Sequence, residues 1–399
     1  MKKSVSSFFV FKQIILTPLK ITVSSLRLPL KTSFKQVSSV RNHGESIWVT
    51  ATRGNKTGFG EGCPRDYVTG ENIESCLMWA GSKKAKLEKE CVDLLALKEF
   101  EASTEVEIDK NPAAWCGIET ALLDLFAKEQ VINVEKLLGL SPPTACYQYS
   151  AILGDSDQSK FRQLIEQYLK WGFWDFKIKL NGDLKLDQQK LEILQDYCDK
   201  AKVDNYRIRL DANNLWSGNT SAAIAHLSQL SALLLGIEEP VEPKNPLALQ
   251  KISNELNTSV ILDESLCNLS DLKAYEDLQG KYIANIKVSR VGGVLRGLKM
   301  VAALKKQNWR IIIGAHVGET SIMTRAGMCL AQAAGENLIG HEGGFGLILL
   351  ENEPVTPSLM FGAKGQLDLS KKYVLQTKDG TQEFPIKSWN HGWGLNSKL

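Results

Sequence analysis

Five charged residues stand at the ends of five short apolar runs: Lys179 in WDFKIKL, Asp211 in RIRLDANN, Glu238 in GIEEPVEP, Asp263 in VILDESL and Lys287 in NIKVSRVGG. They follow one another at intervals of 32, 27, 25 and 24 residues, each close to one strand plus one helix. Such runs read as parallel strands that each deliver one ionisable side chain to a common mouth. Asp211, Glu238 and Asp263 are hard oxygen donors with no His or Cys at a matching strand end among them. That set suits Mg²⁺, with Mn²⁺ able to substitute, better than zinc. Magnesium coordination is octahedral, so three carboxylates leave positions for a carboxylate of the substrate.

Numbered two to six of an eight-stranded barrel, these strands put Lys179 and Lys287 four apart in the ring, facing each other across the mouth. One amine can take a proton from the carbon beside a bound carboxylate and the other can return it, which inverts that carbon. If only one lysine moves a proton, the same site runs a β-elimination or a cycloisomerisation, and the residues alone do not choose. A lysine with its ordinary pKa of about 10.4 is a poor base at neutral pH. Lys177 lies two residues before Lys179 and shares its face, and like charge and burial both lower a lysine pKa. Lys177 is therefore expected to keep Lys179 partly neutral while offering its own charge to the substrate carboxylate. Asn213, which closes the D-A-N run, is placed to support the metal site from behind. Arg209 falls one layer deeper on the same strand face, toward neighbouring acids.

The elements that must carry these residues alternate in type. YQYSAIL, WDFKIKL, YRIRLDA, LLLGIEE, SVILDE, YIANIKV and WRIIIGAH read as strands, each followed by a helical segment, and the eighth strand falls near NLIGHEGG. Short links between alternating strands and helices point to an α/β fold, a modified TIM (β/α) barrel over residues 143–360. A doubly wound open sheet is the alternative, but no G-x-G-x-x-G follows the first strand. Upstream, ITVSSLRLPL and ESIWVTATR alternate like strands of a meander punctuated by Gly58, Gly60 and Gly62. Helical periodicity follows in ENIESCLMWAGSKKAKLEKE and NPAAWCGIETALLDLFAKEQ. The reading is an N-terminal α+β capping domain over 19–142, whose acids Glu119 and Asp124 are structural. Ser321, Arg325 and Cys329 fall at helical spacing and read as packing.

KIK, DAN, EEP, DES and NIK-VGG, in this order and spacing, resemble the enolase superfamily, in its muconate-lactonising enzyme and dipeptide epimerase subgroup (the mandelate racemase/muconate lactonizing enzyme family). The likeness covers roughly residues 20 to 370. It implies that the first acid of each pair binds the metal, Glu238 rather than Glu239 and Asp263 rather than Glu264, with Glu264 in support. It further implies that Glu319 is a family acid near the substrate, that residues 31–44 form a lid over the mouth, and that 361–399 return to the cap. One departure stands out. Dipeptide epimerases of this family carry D-x-D on the eighth strand to bind the substrate ammonium, whereas this chain reads HEGGFG, with Glu342 and then Gly344. One acid of the clamp is present, which leaves room for a substrate acylated at nitrogen or lacking an amine.

The balance of 48 basic against 45 acidic residues gives a net charge of +3, which argues against nucleic acid as a main partner. Eight cysteines without a C-x-x-C pair suit free thiols in a reducing, cytoplasmic setting. Residues 1–18 put two lysines before an apolar run, but Lys12 interrupts it and no small-residue cleavage pattern follows, so they read as a poorly ordered leader. No membrane partner is expected, and a homo-oligomer is compatible with the sequence. The expected activity is abstraction of the α-proton of a small-molecule carboxylate through an enediolate, by an isomerase acting on a dipeptide or amino-acid derivative or by a cycloisomerase. An o-succinylbenzoate-synthase-like dehydratase is the alternative. A Schiff-base aldolase and an inactive binding protein are remote ones, since neither needs all five groups.

Overall fold

The computed structural model describes residues 17–36, 39–141, 146–154, 157–278, 280–369, 373–377, 380–384 and 391–399. All but the last two positions of the expected leader lie outside them. Three antiparallel strands come first: β1 (Lys20–Gln36), β2 (Ser39–Arg53) and β3 (Lys56–Gly62). β1 and β2 run through most of the segment 31–44 that reads as a loop, with a register shift between Pro29 and Phe34. Residues 37–38 lie outside the described residues.

The helix Pro112–Glu129, with Pro112 at its first position, lies directly on β3. A Cβ on Gly58, Gly60 or Gly62 would come within 2.1, 2.1 and 1.9 Å of the carbonyls of Ala121, Gly117 and Ala113. Alternate glycines on a strand thus meet every fourth residue of a helix, matching the period of two to the period of 3.6. These glycines are a packing surface and not the turn punctuation their composition suggests. Helices Ile73–Glu90 and Leu94–Ser103 complete the cap.

The barrel strands follow in chain order. After β4 (Cys146–Gln148) come β5 (Ala151–Leu153), β6 (Asp175–Lys179), β7 (Arg207–Asp211), β8 (Leu234–Glu238), β9 (Val260–Leu262), β10 (Tyr282–Lys287), β11 (Arg310–Gly314) and β12 (Leu338–His341). β5 to β12 form one parallel sheet with neighbours in sequence order. Ser150 N donates to His341 O (2.9 Å) and Tyr149 bridges His341, which brings the last strand beside the first. The expected first strand is therefore split: Cys146–Gln148 pairs antiparallel with Gln366–Asp368, and only the AIL part joins the barrel. Ile261, Ile283 and Ile312 are fully buried in a small cluster of their own, separate from the main core.

Side-chain caps start the surrounding helices: Asp157 accepts from Lys160 N, Asp183 from Leu186 N, Asn219 from Ala222 N and Asn245 from Ala248 N. Each cap stabilises its helix by about 1 kcal/mol. Buried acids of the cap do the same for barrel helices. Glu119 accepts from Val294 N and Leu295 N (3.1 and 2.6 Å) at the start of Val294–Lys306, and Glu61 accepts from Thr320 N and Oγ1 beside Ser321–Ala334. Asp124 accepts from Phe59 N and Trp393 N, tying the C-terminal residues to the cap. Both acids expected to be structural act at backbone groups. No helix among the described residues is long and apolar enough to cross a membrane.

Candidate active site

Register places the charged strand ends side by side. Lys179 pairs with Asp211 across β6 and β7, and Asp211 with Glu238 across β7 and β8. Asp263 follows β9 directly, and Lys287 ends β10, opposite Gly314. Sheet order puts the Lys179 and Lys287 strands four apart among eight. A cavity of about 500 Å³ opens over these ends, lined by Lys177, Lys179, Asp211, Asn213, Asp263, Glu264 and Lys287 below. Arg41, Arg65, Tyr67, His316, Glu319, Glu342 and the apolar Leu164, Trp171, Phe345 and Ile348 line its rim and walls.

Asp211, Glu238, Asp263 and Glu342 each face a cation. Lys177 Nζ lies 2.8 Å from Glu238 Oε1, 3.1 Å from Asp211 Oδ2 and 3.2 Å from Glu342 Oε1. Lys179 Nζ reaches Asp211 Oδ2 (3.1 Å) and Asn213 Oδ1 (2.5 Å), and Asn213 N donates to Asp211 Oδ1 (3.1 Å). Lys287 Nζ donates to Asp263 Oδ2 (2.6 Å), whose other oxygen pairs with Arg290. Among the described residues no three His, Cys, Asp or Glu side chains converge as placed to enclose a metal ion, because these cations stand between the acids.

Lys177 stands among acids at three strand ends. Burial disfavours its charge, but Asp211, Glu238 and Glu342 outweigh burial and raise its pKa. It is a buried cation that faces three carboxylates and lines the cavity. Burial works against the charge of Asp211 too, yet Lys177 and Lys179 pull its carboxyl below the usual range. Glu238 goes the other way, raised by burial against the pull of Lys177, and its buried Oε2 accepts no hydrogen bond. Glu264 likewise leaves Oε2 buried and unpartnered, with its carboxyl pushed up to about 7 by burial and by Glu239. Two orphaned carboxylate oxygens, on Glu238 and on the Glu264 that follows Asp263, fit a hard dication. Glu239 is not part of this set: it turns away to accept from Asp263 N, Ser265 N and Ser265 Oγ at 2.7, 2.8 and 2.9 Å.

On the far side, Glu342 is buried and accepts from Arg209 Nη1 (2.9 Å) as well as facing Lys177. Burial opposes its ionisation, but Lys177, Arg209 and Lys287 carry its pKa down to about 2. Arg209, fully buried, also donates to Ser150 Oγ (2.6 Å) and lies 3.6 Å from Asp175 Oδ1. Glu319 lines the cavity while accepting from His316 N (2.8 Å), and burial pushes its carboxyl up to about 8. Burial, then the field of Arg65, Lys287, Arg290 and Arg41, holds His316 well below the usual histidine range, so its ring is neutral. Arg325 and Cys329 correct the packing reading: Arg325 forms a buried ion pair with Glu135, to which Cys329 Sγ also donates (3.1 Å).

A family model described as enolase C-terminal domain-like matches residues 160–362. The chain belongs to that family. Among its curated relatives, an L-amino acid-D/L-Glu epimerase from Francisella philomiragia is 27% identical over 320 residues, covering 78% of this chain and 86% of that one. An o-succinylbenzoate synthase from Bacillus subtilis is 25% identical over 321 residues, covering 78% and 81%. The structure of an Enterococcus faecalis dipeptide epimerase complexed with Mg and L-Leu-L-Tyr superposes with a TM-score of 0.77 at 22% identity, over 95% of this chain and 99% of that one. The enolase-like assignment agrees with the barrel-and-cap fold read from the strand ends. Arg290 had no place in the sequence reading, and its only signal was a cation three residues past Lys287 in a glycine turn.

Proposed function

We propose that this enolase-like protein is a Mg²⁺-dependent epimerase or racemase that removes and returns the α-proton of a carboxylate substrate derived from an amino acid. The observation that carries the reading is the pair of lysines, Lys179 and Lys287, on strands four apart with Asp211, Glu238 and Asp263 at the ends of the strands between. In this reading the three acids hold Mg²⁺, for which Mn²⁺ can substitute, and Asn213 and Glu264 support them. When bound, the ion supplies positive charge opposite the substrate carboxylate as negative charge builds there. Lys179 and Lys287 take turns as base and acid on the two faces of the α-carbon. Lys177 balances Asp211, Glu238 and Glu342. Glu319 and the apolar wall of Trp171, Phe345 and Ile348 meet the rest of the substrate.

Glu342 bears on the substrate's nitrogen. Its charge is already met by Lys177 and Arg209, and Gly344 stands where a second acid would complete an ammonium clamp. A substrate whose nitrogen is acylated suits this wall better than a free α-ammonium, so N-acyl amino acids are the first class to try and dipeptides the second. A one-lysine dehydration is the second reading, supported by the likeness to the Bacillus subtilis o-succinylbenzoate synthase. The test is a screen for deuterium uptake at the α-carbon in D₂O with Mg²⁺, over N-acyl amino acids, dipeptides, muconates and succinylbenzoate precursors. Uptake with inversion, abolished by EDTA, is the expected result. Loss of water without α-exchange would favour the second reading, and no turnover of any class would remove the first.

A further inference from the structure

Behind Lys179, away from the cavity, a second charged group has no part in the chemistry described so far. Lys190, on the helix Leu184–Lys200, is 7% exposed and its ammonium donates to the backbone carbonyl of Lys179 (2.9 Å). It is paired with Asp187 Oδ1 (3.2 Å), a carboxylate with no exposure at all. The same carboxylate accepts from Asn181 N and Gly182 N, both at 3.1 Å, in the turn that leaves β6. His226 Nε2, on the helix Thr220–Leu227, lies 3.2 Å from Asp187 Oδ2, and its ring rests 4.8 Å from that of Trp216. Three backbone groups, at residues 179, 181 and 182, are thus fixed by one buried ion pair.

We propose that Asp187 and Lys190 are positioning residues for Lys179: they set where β6 ends, and so where the Lys179 ammonium stands. The inference rests on the two-lysine reading above. A buried ion pair contributes little net stability compared with apolar residues of the same volume. What an apolar pair would lack is the hydrogen bonds to the carbonyl of Lys179 and the amides of Asn181 and Gly182. Lys287, four strands away, has no contact with this group. Removing the pair therefore affects one face of the substrate and spares the other, because a displacement of a fraction of an ångström at a reacting amine lowers the rate of its own proton transfer alone.

The experiment measures α-deuterium uptake separately for the L and D forms of a substrate the wild type exchanges, beginning with N-succinyl-phenylalanine, in full-length protein with saturating Mg²⁺. Lys179→Ala identifies which form depends on Lys179. Lys190→Met is expected to slow uptake by that form about 10- to 100-fold in kcat, with KM and the other form unchanged within about twofold, and Lys190→Arg, which can still donate to the carbonyl and to Asp187, to restore most of it. Arg53→Met, which breaks a buried pair with Glu129 in the cap, controls for general loss of stability and should leave the ratio of the two forms unaltered. Should Lys190→Met not fold, the ratio is read in His226→Leu, which withdraws one partner of Asp187, with the same direction expected. Equal slowing of both forms, or none, would overturn the positioning role while leaving the two-lysine reading intact. If Lys179→Ala itself fails to separate the two forms, the parent reading falls and the positioning role with it.

Discussion

Asp263 pairs with two cations, the partly buried Lys287 on one oxygen and the buried Arg290 on the other. Removing a partner from a buried pair costs about 3–5 kcal/mol, because the charge left behind has no solvent to meet it. Asp263→Ala should lower unfolding stability in urea by about that amount even in the absence of Mg²⁺; a change within about 0.5 kcal/mol would mean that Arg290 finds another partner. Residue types at the strand ends were legible because, although any charged residue can end a strand, five in register are hard to obtain otherwise. Their pairings were not. Nothing in K-x-K says that Lys177 meets three carboxylates from β7, β8 and the end of β12, since those contacts depend on barrel closure. Arg290 was hidden for the same reason.

Among the elements, the cap hairpin meets the barrel rim backbone to backbone. A Cβ on Gly318 would fall 2.4 Å from the Cα of Gly44, and Gly318 has φ +85°. Lys31 N donates to Leu349 O (2.9 Å) and Glu351 N to Pro29 O (3.0 Å), so the first two strands lie along the mouth. Gly318→Ala is expected to push the hairpin away, lowering stability by about 1–3 kcal/mol and kcat/KM by at least about tenfold. Gly54→Ala, at φ +59° with open space around it, should cost stability without the loss in kcat/KM; equal kinetic losses would deny the hairpin any role at the mouth.

The carboxylate latches make a second prediction at this scale. Burial pushes Glu119 up to about 8 despite two backbone donors. A carboxyl with a raised folded pKa binds its proton more tightly when folded, so its contribution is complete below the unfolded value near 4.3 and is lost as pH rises through about 8. Stability measured from pH 5 to 9 should fall more steeply in wild type than in Glu119→Gln, and parallel curves would contradict the shift. Helices and parallel strands were readable from periodicity and their regular alternation. The length of β1 and β2 was not, because polar residues such as those of KTSFKQVSSVRNHG form strands wherever a neighbour supplies the ladder.

For the molecule as a whole, a dication bound at the strand ends adds its binding energy to the folded state only. Mg²⁺ at a hundredfold excess over its dissociation constant should raise stability by about 2.7 kcal/mol, and Asp211→Ala should abolish the rise; equal shifts in both proteins would place the ion elsewhere. The barrel with its cap was legible at this scale because one repeat length recurs between five motifs. Substrate identity was not, since the rim draws Arg41 and Tyr67 from the cap, Trp171 from just after the first barrel helix and Phe345 from beyond β12, and no local pattern announces their meeting.

Two amines on opposite sides of one carbon are most directly tested by following α-deuterium uptake from each stereoisomer in Lys179→Ala and Lys287→Ala. Each variant should lose uptake from one isomer and keep it from the other, with the losses complementary. Uptake from both isomers persisting in either variant, or vanishing from both in only one, would contradict the arrangement.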